Sequence, residues 1–221
     1  MLATTIMFTL DNLVPIPLSD QLQQSQVWAG HCQLDAQKRY FVEAPSGRGK
    51  TTFQHILYGL REDYTGMVHL EALGQQWKLS DLTLEQWAAI RQKELSVVFQ
   101  DLRLFLNLSA WDNIQLKNQL TNYQTEAQIR TMAEQLEVAA LLDKKCGEMS
   151  YGQRQRIAII RALCQPFRFL IMDEPFAHLD SANVAKCCAL IQEECQQQGA
   201  GFAIASLEER YNFEYDEVLL L

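Results

Sequence analysis

The chain has 221 residues, 48% of them hydrophobic and 21% charged, and 27 acidic side chains against 19 basic ones give a formal net charge of −8. That length and balance fit one folded unit with an ordinary core, and no apolar run approaches the roughly 18 to 20 residues of a membrane span. The acidic balance argues against nucleic acid as a partner, and residues 1–10 hold no Lys or Arg to open a secretory leader.

Strand-like runs at residues 5–10 and 27–32, with further runs at 67–72 and 77–79, predict an antiparallel β portion around the segment between them. Inside that segment Tyr40-Phe41-Val42-Glu43 reads as a buried strand, residues 44–52 are Ala-Pro-Ser-Gly-Arg-Gly-Lys-Thr-Thr, and residues 51–58 are helical. Strand, glycine loop and helix come in the order a phosphate site needs. Backbone N–H groups of residues 47–50 can turn inward, the helix presents its positive end, and Lys50 adds a full charge where β- and γ-phosphates sit. Thr51 supplies a hydroxyl for Mg²⁺. The pattern G-x-x-x-x-G-K-S/T is matched except at Ala44.

Residues 81–92 read as a helix carrying Leu84, Trp87 and Ala88 as apolar positions, and strand 95–99 then delivers Gln100 to the site. Residues 101–163 are predicted helical throughout. Ser109 with Asp112 forms a capping pair, and Ile129, Met132, Ala133, Leu136 and residues 138–140 make an apolar face. Residues 167–175, Phe-Arg-Phe-Leu-Ile-Met-Asp-Glu-Pro, are an apolar strand ending in two carboxylates. Such acids emerge at the carboxyl edge of a parallel sheet, where open α/β folds bind ligands. Asp173 suits Mg²⁺ through water, and Glu174 can orient or deprotonate an attacking water. Helix 181–198 and strands 201–206 and 217–221 complete an alternating α/β core. The six cysteines contain no C-x-x-C pair and are expected as free thiols; Val184, Cys188, Ile191 and Cys195, with Cys187 beside them, read as a helix core stripe rather than metal ligands.

Residues 149–163, Met-Ser-Tyr-Gly-Gln-Arg-Gln-Arg-Ile-Ala-Ile-Ile-Arg-Ala-Leu, resemble the signature of the ATP-binding cassette (ABC) ATPases, LSGGQ followed by QRxxIARAL. The resemblance covers residues 6–221. Val97-Val98-Phe99-Gln100 is similar to the family's glutamine loop, and Ala177-His178-Leu179-Asp180 to the loop usually written SALD. The resemblance implies an α/β fold with a RecA-like parallel core, an antiparallel β portion and a helical subdomain. Residues 1–100 and 165–221 would form the nucleotide-binding core, and 101–164 the helical subdomain. ATP and Mg²⁺ are the implied cofactors. Ser46, Gly47, Arg48, Gly49, Lys50, Thr51 and Thr52 would hold phosphates; Thr51, Gln100 and Asp173 would serve Mg²⁺; Glu174 would be the catalytic carboxylate, assisted by Gln100 and Lys50. Ser150, Gly152 and Gln153 would reach the γ-phosphate on a second cassette, with Asp180 bridging the chains.

Residues 79–82, 90–91, 97–105 and 108–114 look like the short cassettes of lipoprotein-release, macrolide-efflux and cell-division complexes. The implied partners are a second ABC ATPase subunit, identical or not, and a separate multi-span membrane subunit, with the cassette cytoplasmic at the inner face of the membrane. Departures also stand out. Tyr151 replaces a signature glycine, Leu207 follows the strand where the family has a histidine, and no aromatic lies near residues 15–19 to stack on adenine. These departures support an alternative, a regulatory subunit that binds ATP and hydrolyses little. His178 reads as a structural or exposed histidine more readily than as a substitute sensor. A soluble ABC protein acting on DNA or ribosomes usually carries two cassettes or a long coiled-coil insertion, which 221 residues do not accommodate.

Overall fold

A computed structural model describes residues 6–21, 25–206 and 210–221. In chain order the strands are β1 (Ile6–Pro15), β2 (His31–Asp35), β3 (Arg39–Glu43), β4 (Tyr64–Ala72), β5 (Gln75–Lys78), β6 (Leu95–Val98), β7 (Phe169–Asp173), β8 (Gly201–Ser206) and β9 (Glu217–Leu220). The helices are α1 (Lys50–Leu57), α2 (Leu84–Lys93), α3 (Ala110–Asn118), α4 (Glu126–Gln135), α5 (Tyr151–Leu163) and α6 (Ser181–Gln198).

β7 is five apolar or site-forming residues, every one buried, and that pattern requires cover on both faces of its sheet. The sheet is parallel throughout, in the order β6-β7-β8-β3-β9. Leu170, Met172, Phe202 and Ile204 point to one side, into a core filled by Ile114, Ile129, Ile160 and Ile191 from α3 to α6. Phe169, Ile171, Tyr40 and Val42 point to the other, against Phe8 and Leu70 of the antiparallel sheet β2-β1-β4-β5 and Phe53 and Trp87 of α1 and α2. Truncating one such buried Ile or Leu costs about 2 to 5 kcal/mol, so either layer matters to the whole.

Several expectations hold. Ser109 and Asp112 form the expected reciprocal capping box, and Ser150 and Gln153 form a second one that the sequence reading did not name. Helix α6 starts and stops where the sequence puts it, capped by Asp180 and closed by Gly199 at φ 62°. Its cysteine stripe is buried and the thiols are free.

Others need correction. β3 belongs to the parallel sheet rather than lying within the antiparallel portion, because its partners are β8 and β9. Residues 27–30 form a turn: Ser25 Oγ accepts from the N–H groups of Val27 and Trp28 at 3.0 and 2.7 Å, and Ala29 adopts φ 58°. Residues 101–163 are not helical throughout: 101–109, where Leu102 and Arg103 sit at φ 59° and 45°, and the connections 119–125 and 136–150 lie outside the α-helices. On α2 it is Trp87 and Ile90 that face the core, while Leu84 is 83% exposed and Ala88 also faces out. Ala140 is likewise exposed. Thr5, part of the glutamine-rich run at 21–26, and Leu207 lie outside the described residues.

Glu194 faces inward from α6, only 5% exposed, where Gln124 Nε2 donates to its Oε2 at 3.2 Å. Burial, reinforced by the charge of Glu193, pushes its carboxyl up to about 7. A carboxyl raised on folding contributes stability that is complete below its unfolded pKa, about 4.3, and is lost as pH rises through 7. Glu194→Gln should therefore flatten the pH dependence of urea unfolding across that window and be more stable than wild type above pH 7.

Candidate active site

The turn after β3 is built by two glycines in the left-handed region, Gly47 at φ 77° and Gly49 at φ 98°. Gly49 has a second reason to lack a side chain: a Cβ there would meet Leu18 Cδ1 at 2.5 Å and the Trp28 ring at 3.2 Å. Ala44, which departs from the pattern, keeps out of the left-handed region, so its methyl group carries no backbone penalty. The loop delivers Lys50 to the first turn of α1, where its Nζ donates to the carbonyls of Ala44 and Pro45 at 2.8 and 3.4 Å. Burial lowers the Lys50 ammonium, opposed by the charges of Glu174 and Asp173.

Helix α1 is fastened to the end of β7 by two hydrogen bonds. Thr51 Oγ1 donates to Asp173 Oδ2 at 2.7 Å, and Gln54 Nε2 donates to Met172 O at 2.6 Å. Asp173 is 3% exposed, and burial raises its carboxyl against the opposing pull of the Thr51 hydrogen bond, His55 and Lys50. Its Oδ1 is buried without a hydrogen-bond partner. A hard cation with oxygen ligands answers that need, so a buried, unpartnered carboxylate oxygen beside a threonine hydroxyl fits Mg²⁺. Glu174 follows at φ 46°, held by its N–H on Ala205 O at 2.9 Å and by Gln155 Nε2 on its carbonyl at 3.3 Å.

A cavity of about 220 Å³ brings Ser46, Gly47, Gly49, Lys50, Thr51 and Thr52 together with Gln100, Asp173 and Glu174. Arg48 does not line it, and neither do Ser150, Gly152, Gln153 or Asp180. Ser150 and Gln153 cap the N-terminus of α5 for each other, and Asp180 caps α6, accepting from Asn183 N and Nδ2 at 2.8 Å each. Gly152 packs closely on the loop before α6, where a Cβ would lie 3.0 Å from His178 O and that loop would have to give slightly. Near the adenine position Ile16 is 57% exposed, while Trp28 is buried beneath the loop, edge-on to Phe53 at 5.8 Å.

Sequence reasoning missed three contacts that shape this site. Gln54 and Gln155 both act through backbone carbonyls, which no local pattern signals. Arg161, in the last turn of α5, donates to the carbonyls of Leu102 and Arg103 at 2.6 and 2.7 Å and so holds the left-handed pair after Gln100. Its place in the QRxxIxRAL run was the available clue.

The geometry sets a glycine loop and a helix N-terminus opposite two carboxylates at the carboxyl edge of a parallel sheet, and comparison with known proteins specifies the class. A family model described as "ABC transporter" matches residues 31–177. The lipoprotein-releasing system ATP-binding protein LolD of Legionella pneumophila (strain Lens) is 30% identical over 186 residues, covering 83% of this chain and 80% of that protein. The macrolide export ATP-binding/permease protein MacB of Rhodopirellula baltica is 30% identical over 194 residues, 84% of this chain but 27% of MacB. The dimeric structure of MJ0796, a bacterial ABC transporter cassette, superposes with a TM-score of 0.74 at 23% identity over 91% of this chain and 88% of that one. The chain belongs to the ABC transporter family: it is an ABC ATPase, which binds and hydrolyses ATP.

Lys50 brings the one positive charge among the described residues that line this cavity. Lys50→Ala should weaken ATP binding by roughly ten- to a hundredfold, read by equilibrium dialysis of labelled ATP, with the thermal midpoint of the nucleotide-free chain little changed.

Proposed function

We propose that this chain powers a membrane complex whose spanning subunits are separate chains, by closing with a second cassette over two ATP molecules. The observation that carries the reading is the division of the motifs. Lys50, Thr51, Asp173, Glu174 and Gln100 share one cavity, whereas Ser150, Gly152, Gln153 and Asp180 lie outside its lining, at two helix N-termini that would serve the site of a second copy, identical or not. No helix among the described residues is long and apolar enough to cross a membrane, which supports a separate spanning subunit. The names of LolD and MacB support lipoprotein or small-molecule movement across an envelope as the class of work, with the cassette at the cytoplasmic face.

In this mechanism Lys50 and the loop N–H groups bind the β- and γ-phosphates. Thr51 and Asp173 hold Mg²⁺, which when bound neutralises phosphate charge, with Gln100 as a further ligand. Glu174 accepts the proton of the attacking water. Glu174 follows Asp173 with left-handed backbone, and both line the cavity in different roles. Replacement of the histidine position by Leu207 and of the stacking aromatic by Ile16 supports slower turnover, the regulatory alternative. Glu174→Gln separates the two: a hydrolytic cassette should lose turnover by about 10²-fold or more, retain ATP affinity and elute as an ATP-dependent dimer. Equal turnover in the variant and the wild type would remove Glu174 from catalysis.

Residues 101–164 we assign as the helical subdomain that meets the membrane subunit. Phe105, Leu106, Leu108, Leu116 and Leu120 are all exposed there, beside a cavity of about 240 Å³ floored by Phe99, Lys117 and Arg161. Lys117, pushed down to about 8 by burial, and Arg161 donate only to backbone carbonyls among the described residues, leaving positive charge at the base of an apolar groove. With the membrane subunit co-purified in detergent, Phe105→Cys and Leu106→Cys should crosslink to its cytoplasmic loops. Met67→Cys and Leu73→Cys, on the antiparallel sheet, should not.

A further inference from the structure

The signature turn carries a tyrosine, and its contacts join segments that are far apart in the chain. The Tyr151 hydroxyl donates to Gln100 O at 2.7 Å. Its ring meets the His178 ring edge-on with centroids 4.3 Å apart, and the Arg154 guanidinium lies over it at 5.4 Å. Gly152 adds a backbone-close approach to His178 O. One side chain therefore touches the loop after β6, the loop before α6 and the first turn of α5. A glycine at 151 could make none of these side-chain contacts.

Ten residues along the same helix, Arg161 takes the carbonyls of Leu102 and Arg103. Helix α5 thus grips the glutamine loop at both ends, by Tyr151 at residue 100 and by Arg161 at residues 102 and 103. Leu102 and Arg103 adopt left-handed backbone that relaxes unless held. Gln100 faces the phosphate cavity, and Ser150 and Gly152 sit one residue either side of Tyr151.

We propose that Tyr151 is a positioning residue that locks Gln100 to the signature turn of its own chain, so that a ligand moving Gln100 moves the turn offered to the second cassette. The inference rests on the proposed role of Gln100. It makes the two half-sites of one chain a single mechanical unit: filling the phosphate cavity presets the signature for the other nucleotide.

Hydrogen–deuterium exchange on the full chain, at a concentration where it is monomeric, reads this directly. In wild type, ATP with Mg²⁺ should slow exchange in residues 99–103 and 150–155 together. In Tyr151→Phe, which keeps the ring and loses only the hydroxyl, it should slow the first segment alone. The kcat for ATP should fall about two- to tenfold, as for one lost neutral hydrogen bond, with KM unchanged. Gln100→Ala should lower kcat by itself, and adding Tyr151→Phe to it should cost nothing further, because the signal is already gone. Restoring a para donor with 4-aminophenylalanine at position 151 should restore kcat and the two-segment pattern. Wild-type slowing confined to 99–103, or multiplicative losses in the double variant, overturns the proposal without requiring Tyr151→Phe to be stable. If Gln100→Ala leaves kcat unchanged, the role of Gln100 falls and the lock with it. If Gln100→Ala lowers kcat while Tyr151→Phe does not, only the lock falls.

Discussion

The hydrogen bond from Thr51 Oγ1 to Asp173 Oδ2, with its neighbour from Gln54 to Met172 O, joins two segments more than a hundred residues apart and fixes the width of the cavity between them. Helix α1 could otherwise slide along the sheet, because its buried contacts through Phe53 and Ile56 are non-directional. The two polar bonds remove that freedom and set the helix N-terminus opposite the acidic end of β7. They also explain why Asp173 can be buried. One oxygen is satisfied by the hydroxyl, the other has no hydrogen-bond partner and would suit a cation, and Lys50 lies near enough to oppose the rise that burial imposes on the carboxyl.

The same edge depends on a sheet that is covered twice. With β8 lying between β7 and β3, the phosphate loop and the carboxylates leave adjacent regions of one edge, and a shift in either pairing would separate them. Parallel strands tolerate such central positions only when both faces are dry. Alternation along β3, β7 and β8 meets that demand by sending successive side chains to the helical layer and to the antiparallel layer. Stability and site geometry are therefore set by the same residues, and a core truncation below the site should be felt in nucleotide affinity as well as in folding.

What was legible in the sequence was local. The phosphate loop, the Asp-Glu strand end and helix α6 could be read because glycine freedom, carboxylate placement, an Asp cap and a closing Gly199 act within a few residues. The errors fall where a distant group decides. Val27 and Trp28 look like strand residues, yet the hydroxyl of Ser25 folds them into a turn. Leu102 and Arg103 carry no turn chemistry of their own; their conformation is held by Arg161, nearly sixty residues later. The layer to which β3 belongs is fixed by pairing with β8 and β9 near the other end of the chain, which alternation alone does not reveal. Leu84 shows the converse, an apolar residue in a helical pattern that lies outward because Trp87 and Ile90 already fill the contact with the core.

Among the described residues, three of the non-glycine positions with positive φ are Leu102, Arg103 and Glu174, all beside the phosphate cavity or the loop leading from it. Residues held in such regions cost of order 1 to 3 kcal/mol each and persist only where their surroundings over-determine them. Here the opposing forces are identifiable: the Arg161 guanidinium for the pair after Gln100, and the Ala205 carbonyl with the Gln155 amide for Glu174. Both Gln155 and Arg161 come from α5, the helix that begins at the signature turn. The helix that begins at the signature turn is thus the one that holds the strained backbone beside the phosphate cavity, so a rotation of α5 would alter Glu174 and the loop after Gln100 together. That shared support joins the helical layer to the residues that line the cavity.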